Sequence, residues 1–431
     1  MRILVVSWEY PPVIYGGLGR HVHRLTEGLV ADGHDVAVVT QSAPGMPEEE
    51  DDKGVRVFRS PPDPPADERE RGEDLVPWVL ALNTSLMRTA HRLTREWMPD
   101  VVHAHDWVDA HAGINVARAI DAPLVATVHA TEAGLWDGWL STPLSRARHD
   151  IEAWLVAEAT RSIVCSEAMR VEAAAAFDVP PEDLTVIRNA VDHPAWRTTA
   201  EARRATRERF GIPPKTPLLV FGGRLEWEKG VDVCIEALSL VRQRHHDARL
   251  VLAGAGSQEV NLRRLAQRLQ IDHVVQFAGR MGQPELAALF GAADVAMCPS
   301  SYEPFGIVAL EACAAGTPVI AGDSGGLREV IEHDVTGLLV PPRDPGDLAA
   351  AAMRLLEEPG LSQRLVRAAH QRISTEFVWT AVARETEKVY AAAVADPRPP
   401  RPRPAPAPDG NILADRPLPV QQAWRRVRGE V

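Results

Sequence analysis

At 431 residues the chain exceeds what one hydrophobic core usually organises, so two domains are expected. With 45% hydrophobic and 25% charged residues the composition is that of a globular protein, and a formal net charge of -12 excludes the basic footprint of a nucleic-acid binder. Cys165, Cys234, Cys298 and Cys313 lack C-x-x-C spacing and read as small core residues of a reducing compartment, neither a disulfide framework nor a zinc site.

The opening MRILVVSWEY has too short an apolar run for a secretory leader. No stretch approaches the roughly eighteen apolar residues of a membrane span. These features predict a cytoplasmic protein without a transmembrane segment and leave peripheral membrane contact open. In chain order, strands are predicted over residues 3–6, 36–40, 55–58, 101–103, 124–128 and 162–164, with helices over 20–32 and 75–97 among them. Residues 44–71, rich in Pro, Asp and Glu, read as a long exposed loop. A second series of strands follows at 218–221, 249–253, 274–278, 295–297, 319–321 and 337–340. Strands alternating with helices imply parallel sheets covered on both faces, hence an α/β chain of two facing Rossmann-like domains with a cleft between them. The predicted boundaries are 1–192, 193–377, a C-terminal helix at 378–395 crossing back to the first domain, and a Pro/Arg-rich tail at 396–431. That tail is expected to be disordered, because PRPPRPRPAPAP favours extended polyproline structure and cannot pack a core. Residues 420–427 are the only part of it that suggests a short helix.

In open α/β sheets ligands bind beyond the carboxyl ends of the strands, and the notable residues fall there. After the first strand, PPVIYGGLGRHVHRL supplies Gly16, Gly17 and Gly19 immediately before a helix, where backbone can approach a phosphate or sugar. A tight strand-to-helix turn would use the same glycines. HAHDW places His103, His105 and Asp106 at the end of a strand. H-x-H with an aspartate is a conceivable metal site, but a third ligand is not evident and no metal is assigned. His129 follows the strand at 124–128. In the second half, LLVFGGRLEWEKGVD sets Arg224 and Lys229 on a glycine-rich loop, two cations suited to a diphosphate. The alternative for Lys229 is a surface ion pair with Glu226 or Glu228. Lysine is rare here, four among 47 basic residues, which favours a function for Lys229.

The segment SSYEPFGIVALEACAAGTPVI holds Glu303 and Glu311 with seven residues between them. Phe305, Gly306, Ile307 and Val308 lie where a helix opens, and such a start aims unpaired N–H groups at an anion, usually phosphate. Carboxylates beside a phosphate would repel it, so Glu303 and Glu311 are expected to face neutral hydroxyls. Hydroxyls joined to a diphosphate describe a nucleotide sugar. No D-x-D pair, the usual holder of a diphosphate through a metal, occurs in the sequence.

These motifs resemble those of the family-4 retaining glycosyltransferases of the GT-B fold. The E-x7-E and G-R-x4-K-G patterns resemble the family as a whole, and SWEYPPVIYGGLGRHVHRL, DVVHAHDW, TVHATEAG and GRLEWEKG are most similar to the actinobacterial α-1,4-glucosyltransferases of glycogen and methylglucose lipopolysaccharide synthesis. The resemblance covers residues 1 to about 395. It implies an acceptor-side first domain and a donor-binding second domain. It also implies retaining transfer of glucose from UDP-glucose or ADP-glucose to an α-glucan or oligosaccharide, without cofactor or metal. By resemblance His129 contacts the donor's 6-hydroxyl, Glu303 the sugar hydroxyls and Glu311 the ribose, while Arg224 and Lys229 hold the diphosphate. Gly16, Gly17, His105 and Asp106 line the substrate site. Two departures separate the chain from the neighbouring bacterial starch and glycogen synthases. Ile14 stands where those carry a lysine, and Glu311 is a second glutamate they lack. Another sugar, or a lipid or small-molecule acceptor, remains an alternative, as do a sugar-nucleotide epimerase on the same fold and a non-catalytic binding protein. The oligomeric state is left open.

Overall fold

Valine, leucine and isoleucine runs form parallel strands because each is buried on both faces: Ile3, Leu4, Val5 and Val6 are fully enclosed, as are Val36 to Val39. The computed structural model describes residues 1–61, 75–402 and 405–413. Within it the chain forms two compact units, Met1–Arg188 together with the residues from Trp379 onward, and Asn189–Val378.

The first unit is built on β1 (Arg2–Val6), β2 (Asp35–Gln41), β3 (Glu49–Asp52), β4 (Val55–Ser60), β5 (Val101–His105), β6 (Leu124–Val128), β7 (Trp139–Leu140), β8 (Arg161–Val164) and β9 (Leu184–Val186). Its main sheet runs β3-β4-β2-β1-β5-β6-β8-β9. Every pairing is parallel except β3 with β4. The order reverses direction at β1, so the loops after β1, β5 and β6 emerge side by side, the usual place for a ligand. The second unit carries β10 (Leu218–Gly222), β11 (Arg249–Ala253), β12 (Val275–Gly279), β13 (Val295–Cys298), β14 (Val319–Gly322) and β15 (Leu338–Val340). Its sheet is wholly parallel in the order β12-β11-β10-β13-β14-β15.

Helices cover these sheets with defined ends. Ser166 accepts from Met169 N, Thr142 from Ser145 N and Asp344 from Asp347 N, each side chain satisfying a donor at a helix start. The helix Trp379–Ala395 belongs to the first unit. It lies against the helix Gly17–Ala31, where Gly28 leaves room for Ala383, and Tyr390 bonds His103.

Three sequence expectations need correction. The stretch expected to be a loop over 44–71 contains β3, which alternation could not reveal in EEDD; its acids are solvent-facing partners, with Glu50 paired to Arg59. The part of that stretch from residue 62 lies outside the described residues. β9 was missing from the expected strands, since its three residues carry too little pattern. The tail, expected to make no packed structure, has specific contacts where it is described. Arg398 and Arg401 both pair with Asp183, Arg401 N donates to Ala157 O, and Ala407 N donates to Asp150. A further strand, β16 (Gly410–Asn411), pairs antiparallel with β7, and Leu413 is fully buried beside Ala133. Proline content argued against a core, but an extended chain needs no core of its own when another surface supplies bonds and a pocket. The suggested helix at 420–427 lies outside the described residues.

Candidate functional site

In the second unit, glycine geometry brings the predicted residues together. Gly230 (φ 67°) starts the helix Val231–Val241, and a Cβ there would lie 2.6 Å from Pro299 O. That close approach sets Lys229 beside the loop after β13. Lys229 Nζ meets Glu303 Oε2 at 3.0 Å, and Ser300 Oγ donates to the same oxygen at 3.3 Å. The surface pairing expected as an alternative for Lys229 is thus replaced. Glu226 is held by Ser257 through its N–H and hydroxyl, and Glu228, buried, pairs with Arg224 at 2.9 Å.

The Glu303 loop is clamped from its other side. Gly325 (φ 45°) would place a Cβ 2.2 Å from Glu303 O, Gly326 N donates to that oxygen, and Ser324 Oγ donates to Ser300 O. Gly306 (φ 109°) then caps the eight-residue helix Ile307–Ala314. The first N–H groups of such a helix have no partner within it and carry the positive end of its dipole. Ile307 and Val308 are half-buried at that start. Phe305 is packed on Phe377 with ring centroids 6.1 Å apart, so its side chain belongs to the core and only its backbone is left for a ligand. Glu311 is also interior, 2% exposed. A cation therefore faces a loop that carries a carboxylate and a helix start, an arrangement able to bind a diphosphate and a hydroxyl together.

In the first unit the loops after β1, β5 and β6 converge. Glu9, buried, accepts from Tyr15 N at 2.8 Å and Gly16 N at 3.1 Å, holding the glycine turn in place. Gly16 is extended, and nothing lies within 4 Å of where its Cβ would sit, so the space over it is open. Gly17 opens the helix. Gly19 makes room for Glu9, whose carboxylate oxygen would be 2.8 Å from an added Cβ.

His105 ends β5 in register with Thr127, and His129 follows β6 directly. His105 Nδ1 lies 3.0 Å from His129 Nε2. Asp106 (φ 59°) turns its carboxylate to accept from His129 N at 2.6 Å. Burial, with the charge of Glu9, pushes the Asp106 carboxyl up to about 7, although the two backbone donors at His129 and Ala130 oppose it. Burial and the neighbouring rings hold His105 and His129 well below the ordinary imidazole range, so both are neutral at pH 7. His103 is structural: its nitrogens engage Tyr390 OH at 2.6 Å and Thr127 Oγ1 at 2.7 Å.

Among the described residues one group could approach a metal: His21, His105 and His129, whose ligand nitrogens all lie within 4.8 Å of one another. Within that group His105 Nδ1 and His129 Nε2 are at hydrogen-bonding distance, 3.0 Å, and no metal is assigned.

Sequence reading missed His21, Glu9, Asp109, Glu228 and Ser300 as organisers. His21 had a signal, since it lies four residues after Gly17 on one helix face and reaches His129 with centroids 4.8 Å apart. Asp109 had one in D-W-V-D; its Oδ2 accepts from Trp8 N at 3.0 Å. Glu9, Glu228 and Ser300 carried none, because loop carboxylates and hydroxyls look alike in one sequence.

The profile described as Glycosyl transferases group 1 matches residues 202–372, and that of Glycosyltransferase Family 4 matches residues 15–194. A glycogen synthase of Mycobacterium tuberculosis is 44% identical over 404 residues, spanning 91% of this chain and 95% of the relative. An alpha-maltose-1-phosphate synthase of the same species is 32% identical over 414 residues, 92% of this chain and all of the relative. Among solved structures, a sucrose-phosphate synthase from Thermosynechococcus elongatus superposes with a TM-score of 0.77 at 25% identity, covering 91% of this chain and 99% of the other.

Proposed function

We infer that this chain, which belongs to glycosyltransferase family 4 and has the GT-B fold, moves a glucosyl unit from a nucleoside-diphosphate sugar to an α-glucan or related oligosaccharide, with retention and through α-1,4 links. The Lys229–Glu303 pair beside the Gly306 helix start carries the reading, because it offers opposite charges to the two ends of one donor. The 44% identity to a glycogen synthase supports glucose and glucan as the substrates.

Chemistry assigns the parts. Arg224, Lys229 and the helix start at Gly306 take the diphosphate and neutralise the charge that develops as it leaves. Lys229 then exchanges Glu303 for phosphate oxygen, which frees the Glu303 carboxylate for the sugar hydroxyls. The departing β-phosphate accepts the acceptor's proton, so transfer stays on one face of the sugar. Glu311 serves the ribose, His129 the 6-hydroxyl, and His105, Asp106, Gly16 and Gly17 the substrate side of the first unit. No metal or cofactor takes part in this scheme; two cations and a helix dipole fill the metal's place. Among the described residues no helix is long and apolar enough to cross a membrane, and we place the reaction in the cytoplasm.

A panel of UDP-, ADP- and GDP-glucose, incubated with and without malto-oligosaccharide and with EDTA, tests the proposal by product mass. Release of nucleoside diphosphate together with a glucan one hexose longer, insensitive to EDTA, is the expected result. A sugar nucleotide of unchanged mass but altered chromatographic retention, formed without acceptor, would instead make the enzyme an epimerase. The 32% identity to an alpha-maltose-1-phosphate synthase favours a second reading, a phosphorylated sugar as acceptor. Glucose 1-phosphate in the panel decides between the two.

A further inference from the structure

We propose that His105 is a positioning residue that fixes His129 in one tautomer, with the proton on Nδ1, so that His129 meets substrate as a hydrogen-bond donor. This rests on the reading that His129 faces the donor sugar. The geometry comes first. His105 Nδ1 and His129 Nε2 are 3.0 Å apart, and the ring planes are nearly parallel, at 23°, with centroids 5.3 Å apart. A contact at that distance between two neutral imidazoles needs one N–H and one bare nitrogen. Which ring supplies the proton follows from the opposite edge of His105. The residue is completely buried, and its Nε2 has no hydrogen-bond partner among the described residues. A buried N–H without an acceptor is rarer and costlier than a bare nitrogen without a donor. The proton of His105 therefore sits on Nδ1 and is donated to His129 Nε2. His129 is left with its single proton on Nδ1.

The surroundings hold His105 in this role. His103 packs on it with ring centroids 4.1 Å apart, and both His103 nitrogens are already engaged, by Tyr390 and Thr127. His105 thus cannot pass its proton along that row. The Asp106 carboxylate binds the His129 backbone N–H and so fixes the main chain, while the bond from His105 is made to the His129 ring. The chemical consequence is selectivity: an Nδ1–H binds the lone pair of a hydroxyl oxygen and holds that hydroxyl in one orientation, and has nothing to offer a donor group.

Histidine-selective 15N NMR of the full chain reads the tautomer directly, with His129→Gln assigning the resonance. Wild type should show His129 protonated at Nδ1 and bare at Nε2. His105→Asn keeps an amide N–H near the place of Nδ1 and should retain that state. His105→Asp offers only acceptors and should move the proton to Nε2. Turnover should follow, with kcat lower by about a hundredfold in His105→Asp, as for loss of one transition-state donor, and largely restored in His105→Asn. Donor KM should change less than kcat, and the loss should vanish with a donor lacking its 6-hydroxyl. Wild-type His129 protonated at Nε2 would overturn the proposal, even if His105→Asp failed to fold. So would a His105→Asn variant no better than His105→Asp. An Nδ1-protonated His129 in a protein that transfers no sugar would sink the functional reading and leave the tautomer assignment standing.

Discussion

Lys229 and Glu303 are each other's partner, with side chains 16% and 19% exposed. Removing either leaves the other mostly enclosed and unpaired, so a stability effect must be separated from a catalytic one. Glu303→Ala should lower kcat/KM by about 2–4 kcal/mol, roughly a hundredfold, while circular dichroism shows an intact fold. Lys229→Ala should reduce kcat more than donor affinity, because its charge matters most as the diphosphate departs. Stopped assays giving a loss of donor affinity with kcat unchanged would show uniform binding instead. Asp109 allows a prediction about pH. Burial holds its carboxyl well above the ordinary range, reinforced by Asp106 and Glu9 and opposed by the bond from Trp8 N. The folded state therefore keeps a proton that the unfolded chain releases near pH 4, and stability falls as pH rises from there toward the raised value. Asp109→Asn has no such loss. Its unfolding free energy relative to wild type should climb between pH 5 and pH 8, by at most about 1.4 kcal/mol per pH unit. A difference independent of pH would mean the carboxyl is not protonated in the fold.

At the scale of elements, the loops that build the site are set by backbone contact. An added Cβ at Gly325 would stand 2.2 Å from Glu303 O, with φ 45° unfavourable as well. Gly325→Ala should displace the Glu303 loop and abolish transfer. Gly33→Ala, at φ 89° with nothing within 4 Å, should cost only about 1 kcal/mol and keep activity, so the pair separates crowding from conformational strain. The tail is the second element that contact explains. Leu413 closes over Ala133, Ile412 N donates to Gly138 O, and Asn411 pairs with Trp139. Burying a leucine contributes about 1.5–3 kcal/mol. Leu413→Asp, or truncation after residue 396, should lower the melting temperature and open the chain near residues 133–140 to limited proteolysis. Unchanged proteolysis would show that the tail adds nothing to this loop.

For the whole molecule, two sheets with separate cores predict two unfolding transitions. Gly254→Ala identifies the one belonging to the second unit, since a Cβ there would lie 1.7 Å from Gly223 O. A nucleoside diphosphate at 100 times its Kd should then raise that transition by about 2.7 kcal/mol and leave the other where it was. Calorimetry that moves only the first unit's transition would put the nucleotide in the wrong unit.

Much of this protein is written locally. Apolar runs such as ILVV and LLVFG are strands wherever they occur, and glycine or a capping residue after them marks a turn into a helix, so the α/β class, both sheets and the family motifs could be read in one dimension. The spacing of Glu303, Gly306 and Glu311 likewise follows from helix geometry. What the sequence left undecided depends on pairs far apart in the chain. Lys229 chose Glu303, 74 residues away, over its neighbours Glu226 and Glu228, because Gly230 packs on Pro299 and Ser257 had already taken Glu226. Phe305 turned inward because the core filled around the helix that follows it, and Glu311 is enclosed on that helix. The proline-rich tail was ordered by Asp183, Asp150 and a pocket at Ala133, none of which its own composition could announce. His105 and His129 belong together only because β5 and β6 are adjacent, so the imidazole pair exists in the sheet and nowhere in the chain order. Local pattern determines which elements form; burial and hydrogen bonding between elements decide which side chains meet.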